Sequence, residues 1–182
     1  HWPENSVSPR SGTREKIQRY LVRRRTFFTM AVPLVLVAVA KPKTAWLPWG
    51  IALAVAGETV RIWAAGHLVK GTRLTTSGPF AYVRHPLYLG SLFIATGYCL
   101  MTGFWLAFPI VWALYALFFG SAVFSEEKTL EMALGEQYRG YRAQTPRLFP
   151  RLIASPNPRG RFSWRQAVVN REPRVALGVL VM

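Results

Sequence analysis

The residues best able to do chemistry lie in two short blocks and one isolated pair. The first block is LTTSGPFAYVRHPLYLG, Leu74 to Gly90, a polar, turn-rich stretch that runs through Arg84-His85-Pro86 into apolar sequence. Proline suits the first position of a helix, because its missing N–H would have no partner there and its fixed φ is already helical. Pro86 therefore predicts a helix start with His85 at the cap. The N–H groups of such a first turn, with the helix dipole behind them, seat a carboxylate or a phosphate. The bland alternative is a basic loop that anchors a helix at a membrane surface. The second block is the acidic pair Glu126-Glu127, which follows directly on a long uncharged run. The isolated pair is Glu58 with Arg61, at helical i,i+3 spacing and so on one face, within otherwise apolar sequence. Charges in such surroundings are expensive unless paired or turned to a wet cavity, so a functional role stands beside that of a structural ion pair.

The elements that must position these groups follow from composition. The chain has 182 residues, 51% of them hydrophobic and 14% aromatic, which is one domain by length and rich for a soluble one. Its net charge of +15 by itself suggests nucleic acid. The distribution argues against that partner, because from Leu87 to Ser125 there is no Asp, Glu, Lys, Arg or His. The charge fits the cytoplasmic face of a membrane protein. The lone Cys99 lies inside the apolar run and reads as a small core residue, so neither a disulfide nor a cysteine metal site forms within one chain. The chain opens on His1 with no Met and stops inside VALGVLVM, which reads as a trimmed sequence. The first long apolar run ends in KPK and not in a small-residue cleavage site, so no cleavable signal peptide is expected.

Residues 1–12 read as a disordered lead-in and Thr13 to Arg25 as a basic helix lying on an anionic membrane surface, with a solvated charged helix as the alternative. Thr26 to Ala40 is a short first span that reaches across if Lys41 and Lys43 snorkel. Ala45 to Leu68 is a second span, with Trp46 and Trp49 in an interfacial belt and Ala54, Gly57 and Ala64 on one close-packing face. The uncharged stretch 87–125 would be about 58 Å long as helix, too long for one span and right for two, with a tight turn at Thr102-Gly103. Ser125 then reads as the N-cap of an amphipathic helix whose stripe is Leu130, Leu134, Tyr138 and Tyr141, ended by Pro146 and Pro150. Residues 154–174 show no clear pattern, and the last eight read as a re-entrant or truncated fifth span. Lys and Arg number seven in 1–25, three in 69–86 and ten in 126–182, against two in the KPKT turn. The positive-inside rule then places both termini and the 69–86 loop in the cytoplasm, with four spans. The expected fold is thus all-α: a multi-span integral membrane helical bundle with a cytoplasmic amphipathic helix, in the cell (inner) membrane if the source is bacterial.

One pattern is more specific than any of these. T-S-G-P-F-x-Y-x-R-H-P-x-Y-x-G, then E-E-x-x-L-x-x-x-x-G-x-x-Y-x-x-Y and P-R-x-x-P, resembles the isoprenylcysteine carboxyl methyltransferase family and its phospholipid methyltransferase relatives, over roughly residues 57–150. The resemblance implies a membrane enzyme that uses S-adenosyl-L-methionine at the cytoplasmic face and releases S-adenosyl-L-homocysteine. Carried over by motif, it implies cofactor contacts at Thr72, Arg73, Leu74, Thr75, Phe80, His85, Pro86, Leu87, Tyr88, Glu126 and Glu127. Together with the charge and apolar patterning, it divides the chain into a basic interfacial segment 1–25, a membrane methyltransferase domain 26–150 and a basic Pro/Arg-rich tail 151–182.

The residues supply a partner for each group of that cofactor. The Pro86 helix start with His85 and Arg73 suits its carboxylate, Glu126 or Glu127 its ammonium, and Tyr88 and Phe80 its adenine or sulfonium. No glycine-rich nucleotide loop is present. A carboxylate or thiolate acceptor needs no base, whereas an amine must be neutral before attack, and then a carboxylate or His67 is available. Prenylcysteine methyltransferases resemble one another in an Arg one turn before the acidic pair; here that position is Ala122. Either Arg61 or Arg84 replaces it, or, as we favour, the acceptor is not a prenylcysteine. Glu58, Arg61 and Arg84 are the expected acceptor-site residues. The expected partners are membrane lipids and a lipophilic or lipidated acceptor, with no nucleic acid and no metal. The alternatives are a phospholipid amine N-methyltransferase, an NADPH enzyme resembling sterol reductases, which need about twice as many spans, and a non-catalytic membrane adaptor.

Overall fold

A computed structural model describes residues 45–69, 74–154 and 160–170, and among them every regular element is helical. The expected surface helix 13–25, the first span 26–40, the cofactor positions Thr72 and Arg73, and the last eight residues lie outside this set. We number the helices α1 (Leu47–His67), α2 (Pro86–Thr102), α3 (Ala107–Leu134), α4 (Glu136–Gln144) and α5 (Trp164–Val169), with a 3-10 turn at Gly78–Ala81. Both Pro86 and Leu47-Pro48 open their helices as proline at a first turn should.

α1 and α2 form an antiparallel pair whose backbones touch. A Cβ on Gly97 would stand 2.6 Å from the Gly50 carbonyl oxygen, and one on Gly90 2.6 Å from that of Gly57. Ala54 lies between, also buried. Such close approach binds the two helices through dispersion over a large area. Of the small residues expected on this face, Ala54, Gly57 and Ala64 are all buried in the structure. Substituting Gly57 by Ala puts a methyl 2.5 Å from the Gly90 carbonyl, a backbone atom that cannot step aside. We expect a loss of about 1–3 kcal/mol. Gly120→Ala, in the interior of α3 with open space around its Cβ, should instead be neutral or gain up to about 1 kcal/mol. Thermal unfolding in one detergent checks the contrast, and equal effects would place the helix contact elsewhere.

The turn between α2 and α3 falls where the sequence puts it. Gly103 takes φ 65°, a left-handed conformation, and Thr102 accepts from the Phe104 N–H at 3.3 Å. Ile94, Tyr98, Cys99, Ala107 and Val111 pack the hairpin's closed end. Trp46 meets Trp105 edge-on at 5.7 Å there, with Trp49 and Phe104 exposed beside them. α3 is 28 residues long and, among the described helices, the one long and apolar enough to cross a membrane by length and composition. α2 is apolar but shorter, at 17 residues.

Two expectations are corrected. Ser125 does not cap a new helix: α3 runs unbroken through it to Leu134, because Ser-Glu-Glu-Lys holds no Gly or Pro to interrupt the hydrogen-bond ladder. The break comes at Gly135, whose φ of 50° and ψ of −121° an L side chain rarely adopts. Leu130 and Leu134 therefore end α3, while Tyr138 and Tyr141 belong to α4. Nor is all of the expected tail without pattern. Residues 160–170 return to α1, where the Asn170 side-chain amide donates to the Ala65 and Leu68 carbonyls at 2.8 and 2.9 Å and so satisfies the helix end. The Phe162 ring lies flat over Gly66, where any Cβ would collide with it.

Candidate active site

The R-H-P block and the acidic pair, 41 positions apart from His85 to Glu126, meet at the open end of the α2–α3 hairpin. Three backbone hydrogen bonds hold the block there. The Arg84 N–H donates to the Pro146 carbonyl at 2.8 Å, the His85 N–H to that of Arg147 at 3.2 Å, and the Arg151 N–H to that of Tyr82 at 3.1 Å. Tyr141 of α4 donates its hydroxyl to the Phe80 carbonyl at 2.7 Å. The P-R-x-x-P stretch is thus zipped along the loop that precedes α2.

The two glutamates, adjacent in sequence, point in different directions, as successive positions on a helix must. Glu127 is 4% exposed. Arg147 approaches it side-on, with Nε 3.1 Å from both carboxylate oxygens and Nη2 2.9 Å from Oε2. Arg84 Nη1 stands 2.9 Å from Oε1, and His85 Nε2 3.3 Å from the same atom. Glu126 has a side chain 43% exposed, accepts from the Tyr88 hydroxyl at 2.6 Å, and places Oε2 4.0 Å from His85 Nδ1. Burial holds the His85 imidazole below its usual pKa, even though both carboxylates pull the other way.

An aromatic ladder climbs from this cluster into the apolar helices. His85 and Tyr88 rings lie 5.7 Å apart, Tyr88 and Phe119 5.2 Å in a T, and Phe119 and Tyr115 4.2 Å in a stack. Tyr115 donates its hydroxyl to the Tyr88 carbonyl and so ties α3 to α2. One turn further along α2, Arg61 of α1 reaches the Ser91 hydroxyl and the Leu87 carbonyl, with Glu58 Oε2 3.7 Å from its Nε.

Of the sequence-derived site residues, His85, Pro86, Tyr88, Glu126 and Glu127 come together. Leu87 gives its carbonyl to Arg61 and Ser91. Phe80 is buried beneath Tyr141, and Thr75 accepts from the Val69 N–H at 3.2 Å, with Leu74 beside it half-buried. Arg84, expected to hold an acceptor, is instead packed against Glu127 with a side chain 8% exposed. Glu127, expected to meet the cofactor, is surrounded by cations of its own chain. His67 spends Nδ1 on the Trp63 carbonyl at 3.0 Å and packs its ring on Gly78. Arg147 was legible only as a letter of the P-R-x-x-P pattern, while Ser91, Tyr115 and Phe119 carried no signal in an apolar run. Among the described residues no three His, Cys, Asp or Glu side chains gather as they would for a metal ion.

Comparison with known proteins matches residues 48–137 to a family described as phospholipid methyltransferase. The chain is 31% identical over 129 residues to the cobalt-zinc-cadmium resistance protein CzcN of Cupriavidus metallidurans, covering 70% of this chain and 56% of that protein. It is 38% identical over 78 residues to the methanethiol S-methyltransferase of Crocosphaera subtropica, covering 43% and 29%. It is 30% identical over 99 residues to the protein-S-isoprenylcysteine O-methyltransferase of Schizosaccharomyces pombe, covering 54% and 42%. The chain therefore spans little more than half the length of the first of these relatives and less of the other two. No solved structure matches it.

Proposed function

The chain belongs, through residues 48–137, to the phospholipid methyltransferase family, and from that premise we propose that it is an integral membrane enzyme transferring a methyl group from S-adenosyl-L-methionine to a lipophilic acceptor. The observation that carries this reading is the half-exposed Glu126 carboxylate at the end of the long apolar helix, set beside Tyr88 and the N-terminus of α2. These groups fit the cofactor. Glu126 complements an ammonium, and the first-turn N–H groups after Pro86 complement a carboxylate. The Tyr88 and Phe119 rings offer a face to an adenine or to a sulfonium cation. When bound, the cofactor supplies a methyl group already activated by positive sulfur.

What remains for the protein is alignment and the exclusion of water. Tyr115 and Phe119 fix Tyr88, and Glu127 with its two arginines fixes the loop that carries His85. Ile110, Trp112, Leu117 and Phe124 on α3 are exposed, which supports entry of the acceptor from the bilayer. With four spans and the positive-inside orientation, the site faces the cytoplasm.

Calorimetry in detergent tests the reading. S-adenosyl-L-homocysteine should bind the wild type and NADPH should not. Glu126→Ala should weaken binding at least about tenfold, or about 1.4 kcal/mol, the scale of a lost charge-assisted contact. An unchanged affinity in that variant would move the cofactor away from this cluster.

A further inference from the structure

We propose that His85 is the proton acceptor of the reaction, and that the methyl acceptor is a neutral nucleophile carrying a proton, a thiol or an amine, and not a carboxylate. This role presupposes the methyltransferase reading above and adds the chemistry of the acceptor.

The first support is the tautomer. A carboxylate can only accept, so the 3.3 Å contact between His85 Nε2 and Glu127 Oε1 places the ring proton on Nε2. Glu127 is kept as the anion by Arg84 at 2.9 Å and by the two-pronged contact from Arg147. A neutral imidazole protonated at Nε2 has its lone pair on Nδ1, and that edge is turned to the half-exposed Glu126. A buried carboxylate behind an imidazole is the arrangement by which a carboxylate orients a general base. The charged and titratable groups around the ring are Arg84 beside it, Arg147 from the 146–151 segment, Glu126 and Glu127 from α3 and Tyr88 from α2. Once protonated, His85 would lie between two carboxylates, which stabilise the imidazolium.

The second support is the placement of the cations. A carboxylate acceptor in an apolar site needs a cation to hold it. Among the described residues, Arg84 and Arg147 are both on Glu127, and Arg61 is on Glu58, Ser91 and the Leu87 carbonyl. A carboxylate would also leave the oriented base idle, because it attacks without losing a proton. For a thiol or amine the step balances. The acceptor's lone pair forms the bond to the methyl carbon, and the pair of the breaking methyl–sulfur bond stays on the donor, which leaves uncharged. The acceptor's proton passes to His85 Nδ1 and then to water past Glu126.

Two measurements test this on the full chain in detergent. The first is nitrogen NMR of the histidines, with the His85 signal assigned by its loss in His85→Gln; it needs no turnover. We expect the Nε2–H tautomer at about pH 7.5 and a titration midpoint below about 6.5. The Nδ1–H tautomer would overturn the proposal. The second is methyl transfer to a long-chain alkanethiol, a long-chain primary amine, a fatty acid, and a long-chain thiophenol that is already ionised at neutral pH. The thiol or the amine should be methylated and the fatty acid should not, with kcat/KM falling as pH drops through the His85 midpoint. His85→Gln should lower kcat/KM at least about 100-fold for the alkanethiol or amine and less than about tenfold for the thiophenol. Any loss of its affinity for S-adenosyl-L-homocysteine should be smaller than its loss of kcat/KM for the alkanethiol or amine. Equal losses for alkanethiol and thiophenol, or methylation of the fatty acid alone, would sink the proposal while leaving the methyltransferase reading in place. So would a wild type that binds S-adenosyl-L-homocysteine yet methylates none of the four. A wild type that binds no S-adenosyl-L-homocysteine removes both.

Discussion

Glu127→Ala will destabilise the fold by about 3–5 kcal/mol, while Glu126→Ala, the neighbouring residue, will change stability by less than about 1 kcal/mol. The difference comes from what each substitution leaves behind. Without Glu127, Arg84 is a buried cation with a side chain 8% exposed that has lost its carboxylate partner, whereas Arg147, 41% exposed, can turn to water. The cost is therefore mainly that of one uncompensated charge. His85 also loses its Nε2 contact with that carboxylate. Glu126 accepts from the Tyr88 hydroxyl with a side chain 43% exposed, so water can take its place on that hydroxyl when it goes. Pairing Glu127→Leu with Arg84→Met should restore much of the lost stability, because two groups of similar shape then replace a charge pair. Thermal unfolding of the three variants decides the matter. If Glu126→Ala proves as damaging as Glu127→Ala, the division between scaffold and ligand face is wrong.

Arg61→Ala is the second large effect, at about 3 kcal/mol or more. From the sequence this arginine reads as the cation that holds an acceptor. The structure stretches it from α1 across to the Leu87 carbonyl and the Ser91 hydroxyl of α2, its stem lying where any side chain at position 90 would be. Removing it cuts a tie between the two helices and takes a cation from beside the Glu58 carboxylate, 14% exposed. We expect Glu58→Gln combined with Arg61→Met to recover both stability and methyl transfer. A double variant that is stable but inactive would return the pair to the acceptor site.

The glutamate pair illustrates where reading the chain succeeds and stops. That both residues stand at the end of an uncharged helix near R-H-P follows from the motif and from the length of the apolar run. Which one faces outward does not, because neighbours on a helix are about 100° apart and the choice is made by the partner segment. That segment is Pro146 to Arg151, which docks through backbone hydrogen bonds that no side-chain pattern encodes. The same holds for Arg84 and Arg147: their charges are plain in the sequence, but their spending on one buried carboxylate is not.

Local chemistry by itself determined the helix start at Pro86, the left-handed turn at Gly103, the small-residue face of α1 and the identity of the two blocks, since each depends on residues within a few positions of one another. Only the tertiary structure decided the unbroken run of α3 through Ser125, the return of residues 160–170 to cap α1, the glycine contacts between α1 and α2, and the contact of His85 with Glu127. Each of these is set by groups that meet across long stretches of chain, where the energy of a contact exists only once the helices have been brought together.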